Sequence, residues 1–408
     1  MEEGSAERSL LRLFGPAVLS SLTASGLGFI YWVVAARYYT PAEVGTSGST
    51  ISLITGIGVA ASGGLYAVLL RTLSVHGNPR RLLWVTCGSV AAIGAAAGIV
   101  AGLLHLSKTN VPLLWLWLAV TCAVWSLFVL QDSILISLRK TTALFASNVG
   151  FGAVKLVLLG VFAGTSLGIL TAWAIPLVLV VPVVALVADR SVAGLSPIES
   201  ASFHVTKGHV TAEYVTSLAV VVVFGGVPVI VSLVSGGAFT GVVYVCWMLD
   251  LAADSAGIIL SSAIVSSATE RRLDAAGAVQ SARSAVPVLL GLLLLGVLVA
   301  PWILAIFGHS YSGADLLLRL LLVGVMIRVI GNLSLGVRRV KTEFWNVAFA
   351  QILCAAVVAV GVAVSASHRS YAGIGLSLIA GSLLMTAVAI SPVVIAGLRG
   401  KTARGSAT

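Results

Sequence analysis

"AVPVLLGLLLLGVLVAPWILAI", residues 285–306, holds no charged side chain and no histidine. As an α-helix rising 1.5 Å per residue it is about 33 Å long, enough to cross the roughly 30 Å hydrocarbon core of a bilayer. The flanking sequence repeats the theme. Of the 408 residues, 59% are hydrophobic and only 9% are Asp, Glu, Lys or Arg; mean hydropathy is +1.09. A soluble globular chain carries about 25% of those four residues. Lipid offers the backbone no hydrogen-bond partner, so a spanning segment is a helix or part of a closed barrel. The short alternating segments of a barrel are missing. The expected fold class is therefore all-α, a polytopic membrane protein.

Twelve apolar stretches can be delimited: 13–35, 45–70, 82–104, 113–136, 145–164, 168–188, 212–234, 239–267, 285–306, 315–335, 345–366 and 372–396. The first follows "MEEGSAERSLLRLFGPAV", an acidic start with no small-residue cleavage site, and is read as a retained helix. The longest loop, 189–211, divides the chain into residues 1–188 and 212–408. The expectation is about 12 transmembrane helices in two six-helix bundles around a central cavity. Pro176, Pro182 and Pro228 fall inside spans and should kink them.

The formal charge is +10. No compact basic domain carries it, which argues against nucleic acid as a partner. The basic residues are sided instead. Of the 24, 18 fall on the side of both termini, and Arg37, Lys108 and Arg369 fall on the other. The positive-inside rule puts the termini and the 189–211 loop in the cytoplasm. Lys155, Arg319 and Arg328 lie inside spans. The four cysteines sit in apolar stretches and read as packing residues. The six histidines fall in loops or at span ends, with no metal-binding spacing. No metal or other cofactor is expected.

The two halves echo each other. "ARYYTPAEVGTSGS" joins spans one and two, and "SLVSGGAFTGVVYV" joins spans seven and eight. Each makes a short turn and then places a glycine, Gly45 or Gly241, at the start of the next helix. "SLRKTTALFASNVGFGAVKLVLL" and "GVRRVKTEFWNVAFAQILCAAVV" are matching basic turns, each leading into a helix. A parallel six-plus-six repeat suits rocking between two bundles.

These stretches, with "ILAIFGHSYSGADLLLRLLLVG" at 303–324, resemble in order and spacing the polysaccharide flippase branch of the multidrug/oligosaccharidyl-lipid/polysaccharide (MOP) exporter superfamily. The resemblance covers nearly the whole chain. It implies two six-helix bundles opening alternately to either side of the bacterial cytoplasmic membrane. It also implies a lipid-linked oligosaccharide or related polysaccharide precursor as substrate. An envelope polysaccharide polymerase and glycosyltransferases are the partners that follow. Two features favour this branch over its relatives. The first span lacks the carboxylate common in ion-driven drug exporters, and the lipid-precursor flippases usually have fourteen spans.

Charges inside a membrane are costly, so those that persist are paired or line water. Lys155 lies near the middle of span five, and Arg328 on the cytoplasmic side of the middle of span ten. Asp250 and Asp254, one helical turn apart, bracket the middle of span eight. Asp132 lies toward the cytoplasmic end of span four. Two readings are open. Lys155 and Arg328 would bind a substrate phosphate, Arg with its bidentate fork, while Asp250, Asp254 and Asp132 line the cavity or carry a coupling proton. Alternatively these groups form internal salt bridges. Arg319 and Asp315, spaced i,i+4, read as a local pair. There is no nucleotide-binding loop and no nucleophile constellation, so no enzyme is expected. The alternatives to a flippase are a multidrug or small-cation antiporter of the same superfamily, or a non-transporting scaffold for envelope synthesis.

Overall fold

The computed structural model describes residues 23–73, 78–193, 207–271 and 285–405, and among these there is no strand. The helices are α1 (23–38), α2 (Pro41–Thr72), α3 (Pro79–Leu103), α4 (Leu114–Ser137), α5 (Thr141–Val161), α6 (Gly168–Ala193), α7 (Lys207–Phe224), α8 (Gly226–Val234) and α9 (Gly237–Arg271). After them come α10 (Ala285–Phe307), α11 (Asp315–Val340), α12 (Phe344–Ser367) and α13 (Tyr371–Gly405). Ten of the described helices are long and apolar enough to cross a membrane, and the α7–α8 pair makes an eleventh. The protein is an all-α polytopic membrane protein. The start of the expected first span lies outside the described residues, as does most of the 189–211 loop.

Two differences from the expected spans have physical causes. Hydropathy marks lipid contact rather than the end of a hydrogen-bonded ladder, so α2, α6, α9, α11 and α13 run past their expected ends. Arg190, Arg338 and Arg339, read as loop charges, therefore lie on the last turns of helices. The seventh span is broken: α7 and α8 meet at 47° at Gly225. Pro228 has no N–H to give the carbonyl four residues back, that of Phe224, and its ring crowds that carbonyl. The Trp247 indole N–H donates to this freed carbonyl at 3.3 Å. Pro176 and Pro182 lie inside the continuous helix α6, so of the three prolines only Pro228 stands beside a break.

The chain packs into two units, Met1–Ser217 with Gly236–Gly241, and Leu218–Ser235 with Val242–Thr408. In the first unit α2 begins with a capping box. Thr40 Oγ1 accepts from the Glu43 N–H, Glu43 Oε2 accepts from the Thr40 N–H, and Pro41 takes the first helical position, which together fix the helix start. Gly45 and Gly241 then lie backbone against backbone. A Cβ on Gly45 would meet the Gly241 N–H, and one on Gly241 would meet the Pro41 carbonyl. On α3 the expected packing stripe Gly94, Gly98 and Gly102 lies directly against α4 at Ser126, Leu118 and Trp115. The Ser/Thr-rich stretch of α2 also packs. Ser49, Thr50 and Ser62 return their hydroxyls to carbonyls of their own helix.

The matching basic turns of the two halves share one backbone. Leu138, Arg139 and Lys140 join α4 to α5, with φ/ψ of −84/2 and −95/52 at the outer two residues and φ 55 at Arg139. Lys341, Thr342 and Glu343 join α11 to α12, with −80/5 and −87/52 outside and φ 60 at Thr342. Both units thus place a left-handed, non-glycine residue between paired helices, a conformation of limited occurrence.

Candidate functional site

In the second unit, α9 carries Asp250 and Asp254 on one face. It lies close to α11, because a Cβ on Gly257 would sit 3.0 Å from Val329 and Ser261 donates to the Asn332 carbonyl at 2.8 Å. These close approaches let Arg328 of α11 reach both carboxylates. Its Nη2 donates to Asp250 Oδ1 and Oδ2, each at 2.7 Å, and its Nε donates to Asp254 Oδ1 at 3.2 Å. Both aspartates are fully buried and Arg328 is 2% exposed. Asp254 Oδ2 and Arg328 Nη1 have no hydrogen-bond partner. Of the bases that could have paired with the two acids, Arg328 does so here, one guanidinium against two carboxylates. A phosphate reaching Arg328 in this arrangement would find Nε and Nη2 occupied by carboxylates.

In the first unit, Lys155 of α5 is 8% exposed, and no ion pair joins it to a carboxylate among the described residues. Its Nζ lies 5.2 Å from the Tyr31 ring centroid and 4.8 Å from that of Phe151. Tyr31 is held by its hydroxyl, which donates to the Ile169 carbonyl at 2.6 Å. Phe151 belongs to an aromatic group with Trp125, Phe128 and Trp173, whose centroids lie 4.9–6.3 Å apart. Asp132 of α4 has a side-chain hydrogen bond with Asn148 of α5, and its Oδ1 has no partner. Thus Lys155 and Asp132 lie in one unit, and Arg328, Asp250 and Asp254 in the other. Arg319 and Asp315 form the expected local pair at 3.5 Å.

Sequence reasoning missed Arg338. It is 3% exposed, and its Nη2 and Nε donate to the carbonyls of Val388 and Ala389 at 2.6 and 2.9 Å. Val388 is four residues before Pro392, which has no N–H to give it. The signal was present in the pairing of a helix-end arginine with a late proline, but only tertiary packing shows that they meet.

No family model matches the chain, and no curated protein matches it. Solved structures do. The lipid II flippase MurJ in its inward closed conformation is similar with a TM-score of 0.64 at 13% identity, over 92% of this chain and 87% of that one. A MOP superfamily transporter from Pyrococcus furiosus gives 0.60 at 13% identity, over 92% and 93%. The fold is that of the MOP superfamily transporters. An inward-facing multidrug resistance MATE family transporter of the MOP superfamily gives 0.58 at 14% identity, over 95% and 96%. At these identities the likeness is one of fold.

Proposed function

We propose that the protein is a MOP-type flippase that moves a lipid-linked saccharide across the bacterial cytoplasmic membrane, gripping it by its phosphate. The observation that carries this reading is Lys155. It is a buried cation on a membrane-spanning helix, with aromatic faces beside it and no ion pair to a carboxylate among the described residues. The acid pair of the second unit is already engaged with Arg328. The available buried positive charge calls for an anionic ligand, and aromatic rings suit the sugar or prenyl portion of such a molecule. Similarity to a lipid II flippase agrees with the same chemistry. A second reading, export of an organic cation, is favoured by Asp132, whose Oδ1 is unpartnered.

The two readings separate on the purified protein in nanodiscs, by thermal shift with a polyprenyl phosphate and with ethidium as probes. The flippase reading expects the prenyl phosphate to raise the melting temperature and ethidium to leave it unchanged; the opposite pattern selects the cation exporter. The orientation is part of the proposal, with both termini and the 189–211 loop cytoplasmic. A cysteine introduced at Pro197 should resist a membrane-impermeant maleimide in intact cells and react after permeabilisation. Reaction in intact cells would invert the map.

A further inference from the structure

The crossing of α9 and α11 has a counterpart in the first unit. Gly45 and Gly241 open matched helices, and Arg139 and Thr342 hold the same place in matched turns. Nine and thirteen residues after Gly45 stand Ile54 and Gly58; at the same distances after Gly241 stand Asp250 and Asp254. Fourteen residues before Arg139 is Trp125, and fourteen before Thr342 is Arg328. The correspondence is physical, because Gly58 packs directly on the Trp125 ring, just as Asp254 meets Arg328. The same crossing is built in one unit without charge and in the other with three charges. Packing alone therefore does not require them.

The three charges do not balance. Two carboxylates face one guanidinium, which leaves a formal −1 where no member is more than 2% exposed. An uncompensated buried charge is among the most costly features a fold can hold. Among the described residues no other ion pair brings a positive charge to the two carboxylates. Cys354 is the titratable group that α12 turns toward the cluster. Helices α8 and α10 contain no titratable residue, and the spanning part of α13 has only Tyr371. The hydrogen bonds show where the imbalance sits. Asp250 accepts two short bonds, whereas Asp254 accepts one longer bond and its Oδ2 is bare. A metal cation would need several oxygens; Asp250 has both of its own on Arg328, and the guanidinium would repel the ion.

We propose that the Asp250–Asp254–Arg328 cluster is a binding site for a single proton held by the carboxylate pair, with no counterpart at the matched crossing of the first unit. With the proton bound the cluster is neutral, and Asp254 Oδ1 still accepts from Arg328. With it released the cluster is net negative. The site follows from the cluster's geometry and does not depend on which substrate the protein carries.

Infrared difference spectroscopy on the full-length protein in lipid, stepped between acid and alkaline pH, tests it directly. With Asp132→Asn as the background for every sample, which removes the other carboxyl with an unpartnered buried oxygen, the intact cluster should show a buried carboxylic acid C=O band that titrates as one proton and does not respond to sodium. Asp254→Asn and Asp250→Asn each leave one acid against one guanidinium, so each should lose that band. An intact cluster without a buried carboxylic acid band would overturn the proposal whether or not either variant folds. So would variants that keep the band, or a band that sodium displaces. Because no substrate is added, the result is independent of the prenyl phosphate and ethidium experiment.

Discussion

Arg328→Met should fail to accumulate in the membrane. Methionine matches the volume but leaves Asp250 and Asp254, both fully buried, with no cation. Removing one partner of a buried ion pair costs about 3–5 kcal/mol, a large share of the roughly 5–15 kcal/mol that holds a domain together. The ranking within the cluster follows from its hydrogen bonds. Asp254→Asn gives up one bond of 3.2 Å, keeps the Asp250–Arg328 pair, and should cost no more than about 1 kcal/mol. Asp250→Asn disturbs both bonds of 2.7 Å and should fall between the other two. Fluorescence size-exclusion profiles and melting in detergent read this order. The decisive variant is Arg328→Met with Asp250→Asn and Asp254→Asn together, which removes every charge and should recover much of the lost protein. Normal accumulation of Arg328→Met alone would mean that the cluster does not hold α9 to α11.

What the sequence could reveal here depended on the range of the interaction. Bilayer burial acts on every residue of a span, so the apolar stretches located the helices to within a few residues. The repeat was legible from Gly45, Gly241 and the two basic turns because each is a local backbone requirement. The break at Gly225 was half legible. Pro228 announced a disturbance, but the donor that makes a clean break tolerable is Trp247, nineteen residues later in the chain. Contacts that join distant helices left less trace. Asp250 and Asp254 were recognisable as a pair from their spacing, but nothing local distinguished Arg328 from Lys155 as their partner. The two rings beside Lys155 come from α1 and α5, and each alone reads as an ordinary apolar residue of a span. Arg338 was misplaced because a run of basic residues after an apolar stretch looks like a loop, whereas its side chain turns back to the carbonyls of Val388, which Pro392 cannot serve, and Ala389.

Lys155→Gln should separate function from folding, in the opposite sense to Arg328→Met. Lys155 neutralises no carboxylate among the described residues, so replacing it leaves no orphan charge behind. What is lost within the protein is its attraction to the faces of Tyr31 and Phe151, about 0.5–2 kcal/mol, partly offset because glutamine no longer buries a charge. Abundance and melting temperature should stay close to wild type. A charged hydrogen bond to a phosphate is worth about 1.5–3 kcal/mol, so affinity for a polyprenyl phosphate should fall roughly 10- to 150-fold, and export in complementing cells should drop with it. Lys155→Arg keeps the charge but places a larger planar group between the rings, and should recover part of the affinity. Lys155→Gln accumulating as poorly as Arg328→Met would make the lysine a structural group. A well-folded Lys155→Gln that binds the prenyl phosphate and exports at the wild-type rate would remove the phosphate from the proposed function, leaving Asp132 and a cationic substrate as the better account of the first unit.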